Sequence, residues 1–254
     1  MTTTWPRPPS RGWRWPSARR SPSTNGASGW PPLRACSHES TRPPRSHHRC
    51  PVRIAVVDHG AGNLVSISRG LETVGAEVIL ATTPEQIDRA DGVVLPGVGA
   101  TGAVMAGIRS AGLEDVLRTY NRPLLGICVG MQVLFEGSDE DDADCLGLIS
   151  GGNHRLRNAP RLPHIGWNDV TATASDPLLA GLDDTTLFYF VHSFAPRPSD
   201  PTTVIATTEY GEEFASVVRQ GDVWGTQFHP ERSHVAGRSI LSNFVAAVGA
   251  TRVA

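Results

Sequence analysis

Lysine is absent from this 254-residue chain, so all 23 Lys and Arg positions are arginine. A bias that complete reads as nucleotide composition of the coding sequence, so no nucleic-acid patch is read into the arginines. Cysteine is scarce. Cys36, Cys50, Cys128 and Cys145 have no metal-ligand spacing, which argues against a disulfide framework or zinc site and fits a reducing, cytoplasmic compartment. No apolar run approaches the ~20 residues needed to cross a bilayer, so no membrane association is expected. Acids are nearly missing from one end: residues 1–50 hold nine arginines and nine prolines against one acid, Glu39.

That first segment, 1–51, also lacks apolar periodicity, and such a stretch buries too little surface to offset its ordering entropy. Three readings stand: a disordered tail, an Arg- and Ser-rich transit peptide, or upstream sequence included through a misassigned start. The last is preferred because folding signals begin abruptly at Val52, and the proline density opposes an amphipathic transit helix.

From Val52 to Ala254 a single domain is expected. Short β-branched runs alternate with helical stretches: VRIAVVD, a helix from Leu64 to Val74, AEVILA, GVVLPG, a helix from Met105 to Tyr120, and PLLGIC. This alternation predicts an α/β fold with a mostly parallel central sheet and flanking helices. After Gly147 the runs LFYFVH, TVIATTEY, FASVVR and VWGTQF lie closer together and predict antiparallel additions to the same sheet. A helix from Gly237 to Val248 closes the domain. Ligands bind at the carboxyl ends of strands in such sheets, which directs attention to Asp58–Asn63, Pro96–Gly99 and Cys128.

Gly126-Ile127-Cys128-Val129-Gly130 follows an apolar strand and precedes a helical pattern, as a nucleophile elbow does with cysteine in place of serine. A helix N-terminus there favours the thiolate. Alone, the motif is equally compatible with a small buried cysteine at a strand end. Gln227-Phe228-His229-Pro230-Glu231 decides between them. In an extended segment His229 and Glu231 share a side, so Glu231 can orient the His229 imidazole toward a cysteine, the generalised triad of acyl transfer. Backbone N–H groups of Val129 and of Gly97, Val98 and Gly99 are candidates for the oxyanion site. The acidic run from Asp139 to Asp144 lacks the spacing of a calcium loop, and His164, His192 and His234 make no ligand set, so no metal and no cofactor are expected.

With these residues in place, the chain from Val52 to Ala250 resembles the class I glutamine amidotransferases. Within them it is similar to the glutaminase subunits of imidazole glycerol phosphate synthase. The resemblance rests on DHGAGNLVSI, LPGVG, GICVGMQVLFEGSDE, RLPHIGWN, YFVHSF, TTEYG and GTQFHPERS. It implies that Cys128 forms a glutamyl thioester, His229 protonates leaving ammonia and activates water, and Glu231 holds His229. It implies that Gln132, Glu140, Ser193 and Phe194 grip L-glutamine. It also implies that Asn63, Trp167, Asn168 and Arg232 face a cyclase subunit, a (β/α)8 barrel that receives the ammonia in a heterodimer. Core packing is the other reading of Trp167. Departures from the family pattern are His59 and Phe194 in place of common tyrosines, Arg232 in place of lysine, and a Gly151-Gly152-Asn153 stretch that is poor strand material.

Overall fold

The computed structural model describes residues 51–252 except Asp184; residues 1–50, read above as a leader, lie outside the described residues. The chain opens with β1 (Arg53–Val57), α1 (Leu64–Thr73), β2 (Glu77–Ala81), α2 (Pro84–Asp88) and β3 (Gly92–Gly97). Next come α3 (Thr101–Ser110), α4 (Glu114–Arg118), β4 (Leu124–Cys128) and α5 (Val129–Gln132). Short strands β5 (Gly137–Ser138) and β6 (Ala143–Asp144) precede β7 (Gly151–Arg155), β8 (His164–Asp169) and β9 (Thr171–Ala172). The last elements are β10 (Leu187–His192), β11 (Phe194–Pro198), β12 (Val204–Glu209), β13 (Glu213–Gln220), β14 (Val223–Thr226) and α6 (His234–Thr251).

Eight strands form the main sheet in the order β2-β1-β3-β4-β14-β13-β12-β9. From β2 to β14 neighbours are parallel, and from β14 to β9 they are antiparallel. Every residue of β3 and β4 is buried, which is why these segments read as unbroken apolar runs. Each Val or Leu so buried contributes roughly 1.5–3 kcal/mol. The chain leaves β1 for β2 on one side and reaches β3 on the other, so the loop after β1 lies at a topological switch. Helix α1 presents Ile67 and Leu71, one turn apart, to the core. Helix α2 starts at a Thr83–Gln86 capping box with Pro84 in its first turn, an arrangement that satisfies its free N–H groups.

The architecture departs from the expected one in four places. The single helix expected over 105–120 is two, α3 and α4, because Gly112 adopts φ +68° between them. LFYFVH is β10, which pairs with β8 in a separate two-stranded sheet and not with the main one. Strand β14 joins β13 antiparallel but is parallel to β4, so VWGT is a central strand. The last helix is longer than Gly237–Val248 at both ends. The Gly151-Gly152-Asn153 stretch does start a strand, β7. Buried Asn153 compensates for its weak composition by donating from Nδ2 to the carbonyls of Gln132 and Gly137, each at 2.8 Å.

Candidate active site

Cys128 ends β4 with φ +54° and ψ −112°, a strained conformation for a residue with a side chain. The neighbouring positions must be glycine because strand, elbow and the end of β3 meet there. A Cβ on Gly130 would collide with the Leu95 carbonyl, and one on Gly126 would lie 2.6 Å from the Gly130 oxygen. The register pairs Gly97 of β3 directly with Cys128. The sheet itself therefore holds the Pro96–Gly99 turn beside the sulfur. His59, in the loop after β1, is buried with Nε2 2.7 Å from the Pro96 carbonyl oxygen, and so anchors that turn from the other side.

His229 follows β14, the parallel neighbour of β4. Its Nδ1 lies 3.0 Å from Glu231 Oε1, with both side chains almost wholly buried. The contact arises differently from the expected extended alternation: Pro230–Arg232 form a 3-10 turn with His229 at its cap, and the turn brings Glu231 back under the imidazole. Ser233 ties the turn down, donating from Oγ to the His229 carbonyl at 2.7 Å and accepting from Tyr189 N–H at 3.0 Å. Burial alone would lower the imidazole. Hydrogen bonds to Cys128 and Glu231 and the charges of both outweigh it and raise His229 to about 10. The imidazole is thus held as a cation between a sulfur and a carboxylate, a state suited to donating a proton to a leaving group.

The sulfur opens into a cavity of about 280 Å³ lined by Val98, Gly99, Val129, Gln132, Glu140, Val191, His192, Ser193, Phe194, His229 and Arg232. Three larger hollows contain no cysteine: one between β11, β12 and β13, one between α1 and the start of α6, and an open one beside Asn63 and Arg232. The expected oxyanion and glutamine-binding residues, Gly97 excepted, therefore line one space, and Gly97 pairs with Cys128 at its floor. Glu140 is fixed at the start of α3, its Oε2 accepting from Thr101 N–H at 3.0 Å and Thr101 Oγ1 at 3.1 Å. Gln132 donates from Nε2 to the Phe194 carbonyl at 2.8 Å. Thr101 and Gln227, both fully buried, were not among the expected site residues. Gln227 adjoins the His229 motif in sequence, whereas Thr101 carries no signal beyond following the glycine turn.

The acidic run is engaged in structural contacts: Asp139 pairs with His154 at 2.7 Å and Asp141 accepts from Gly102 N–H at 3.2 Å. Among the described residues no group of His, Cys, Asp and Glu converges to hold a metal. His164 and His192 instead bond to each other at 3.1 Å, and burial lowers them to about 4 and about 3.

The remaining expected residues are Asn63, Arg232, Trp167 and Asn168. Asn63 and Arg232 line a shallow hollow with His229 and Glu231. Trp167 is 45% exposed and stacks on His234, which excludes core packing. Asn168 alternates to the other side of β8, and its Nδ2 donates to the Glu209 carbonyl at 3.0 Å. It is engaged within the chain and does not share Trp167's outward face.

A family model for class I glutamine amidotransferases matches residues 55–248. The chain is 47% identical over 204 residues to the imidazole glycerol phosphate synthase subunit HisH of Halobacterium salinarum, covering 76% of this chain and 92% of that protein. It is 45% identical over 201 residues to the HisH subunit of Synechococcus sp. strain JA-3-3Ab, covering 76% and 93%. The chain belongs to the HisH branch of the class I glutamine amidotransferases. The amidotransferase fold is also that of solved structures at low identity. PurLQS from Thermotoga maritima matches with a TM-score of 0.59 at 20% identity over 80% of this chain and all of that one. A further glutamine amidotransferase structure matches with a TM-score of 0.59 at 22% identity over 77% of this chain and 98% of that one. In this amidotransferase no described helix is long and apolar enough to cross a membrane.

Proposed function

We propose that this amidotransferase hydrolyses L-glutamine to glutamate and ammonia and passes the ammonia to a cyclase subunit, as the glutaminase half of imidazole glycerol phosphate synthase. The observation that carries the reading is the buried His229–Glu231 pair set against a cysteine on a strained elbow. The Cys128 sulfur attacks the side-chain amide carbon of glutamine. The oxyanion is received by backbone N–H groups of Val129 and the Gly97–Val98–Gly99 turn. His229 gives its proton to the departing ammonia, leaving a thioester on Cys128. Now neutral, it takes a proton from water, which releases glutamate. Glu231 keeps the imidazole in the orientation that both steps need. Glu140 and Gln132, with the Ser193 and Phe194 backbone, hold the amino-acid end and side chain of the substrate.

The cyclase, a (β/α)8 barrel in our reading, docks over the mouth against Asn63, Trp167 and Arg232. A reactive thiol needs a reducing compartment, which supports a cytoplasmic location. Residues 52–254 form the working domain in this proposal. Co-purification with candidate synthase subunits, followed by measurement of glutamine-driven product formation, tests it. Stimulation of glutamine hydrolysis by the cyclase is the expected result, and stimulation only by a different synthase would redirect the assignment.

A further inference from the structure

Gln227 is fully buried and lies between the catalytic motif and the core, with no role in the mechanism above. Its Nε2 donates to the Cys128 sulfur at 3.6 Å, within hydrogen-bonding range for a sulfur acceptor. A side-chain amide could in principle present either its NH2 or its oxygen to the thiol, and the two have opposite effects on a thiolate. The surroundings fix which one it is. The Phe194 carbonyl can only accept, and it takes hydrogen bonds from His192 Nδ1 at 2.9 Å and from Gln132 Nε2 at 2.8 Å. That contact forces the Gln132 amide to point its NH2 toward Phe194, and the same nitrogen donates to Gln227 Oε1 at 3.1 Å. With its oxygen so engaged, Gln227 must turn its NH2 to the sulfur. The direction of donation is passed from a backbone carbonyl through two amides to Cys128.

We propose that Gln227 is a hydrogen-bond donor to the nucleophile that stabilises the Cys128 thiolate, and that Gln132 enforces its orientation in addition to any contact with substrate. As a thiol, Cys128 can donate to the Val191 carbonyl at 3.6 Å. As a thiolate it can only accept, so a buried donor favours the charged form. This assignment rests on the reading of Cys128 as the nucleophile.

The test compares Gln227→Met, which keeps the bulk and removes the donor, with Gln227→Glu, which keeps the shape and the bond from Gln132 but turns an oxygen to the sulfur. Both are made in the full chain. Iodoacetamide labelling of the Cys128 peptide is followed by mass spectrometry across pH, which separates it from the other cysteines. Glutamine turnover is measured with the synthase subunit, and thermal unfolding checks the fold. Gln227→Met should slow labelling at neutral pH about tenfold and lower kcat about tenfold, with KM within about twofold. Its pH–rate curve should move toward alkaline pH. Gln227→Glu should be slower still. A packing role predicts the reverse order, with the isosteric Glu milder than Met, and that order would overturn the proposal, as would native labelling curves in both variants. Should either substitution prevent folding, Gln132→Glu removes the orienting donors without touching Gln227, and an unmoved Cys128 labelling curve there also overturns it. Loss of glutamine turnover in the unsubstituted chain, with labelling behaving as expected, would count against the glutaminase reading alone.

Discussion

His229 Nδ1 and Glu231 Oε1 face each other across 3.0 Å with only 5% and 1% of their side chains exposed. Glu231 lies on the far side of the imidazole from the sulfur's reaction space, so it acts through His229. Glu231→Gln should lower kcat for glutamine hydrolysis about 10²–10⁴-fold, and His229→Ala by at least a further tenfold, with KM changing little. Steady-state kinetics of the two variants with the synthase subunit decide this; equal losses would give Glu231 a direct part in the chemistry.

The same pair sets a pH window. His229 is raised to about 10 from an ordinary value near 6.5. A raised group contributes its stability fully below the unfolded value and loses it as pH climbs through the folded one. The gap in urea midpoint between the native chain and His229→Gln should therefore be widest near about pH 6 and shrink as pH passes about 10. A gap that widens with pH would mean that the imidazole is not held as a cation.

Much of this site is legible before any coordinates, because its strongest signals are local. The elbow needs glycines within two residues of Cys128, and the turn that joins His229 to Glu231 is three residues long. What stays hidden depends on distant pairing. Gln132 and Gln227 are 95 positions apart, and nothing in either neighbourhood says that their amides touch. The strand LFYFVH is recognisable from its alternation, but period two fixes a face and not a sheet, so its pairing with β8 was unreadable. Gly112 lies inside an apolar pattern that reads as one helix over 105–120, whereas its φ of +68° ends the helix there.

Strain at Cys128 predicts a separation of stability from activity. Cys128→Ala retains the unfavourable φ, while Cys128→Gly releases it, at the cost of a more flexible unfolded chain. The glycine variant should be the more stable of the two by about 1 kcal/mol in denaturant titration. Both should lose glutamine-dependent synthesis and leave ammonia-dependent synthesis by the partner intact. Loss of the ammonia-driven reaction as well would contradict a division of chemistry between subunits.

Trp167 offers a test of the docking face. An aromatic ring 45% exposed, stacked on His234, leaves a large apolar surface open to a partner. Trp167→Ala should weaken association with the cyclase about 30-fold or more in titration calorimetry while barely moving the thermal midpoint of the isolated chain. Unchanged affinity would relocate the interface.

Strand β14 sits beside β4 in the middle of the main sheet, with Val223 paired to Leu124 and Thr226 to Ile127. Nearly a hundred residues of chain separate these neighbours. During synthesis β4 therefore waits with an open, wholly apolar edge until β14 has been made, a state prone to pairing with other molecules. The nascent chain likewise carries the Cys128 thiol before its acid–base partner His229 has been made, so the triad assembles only when β14 joins β4.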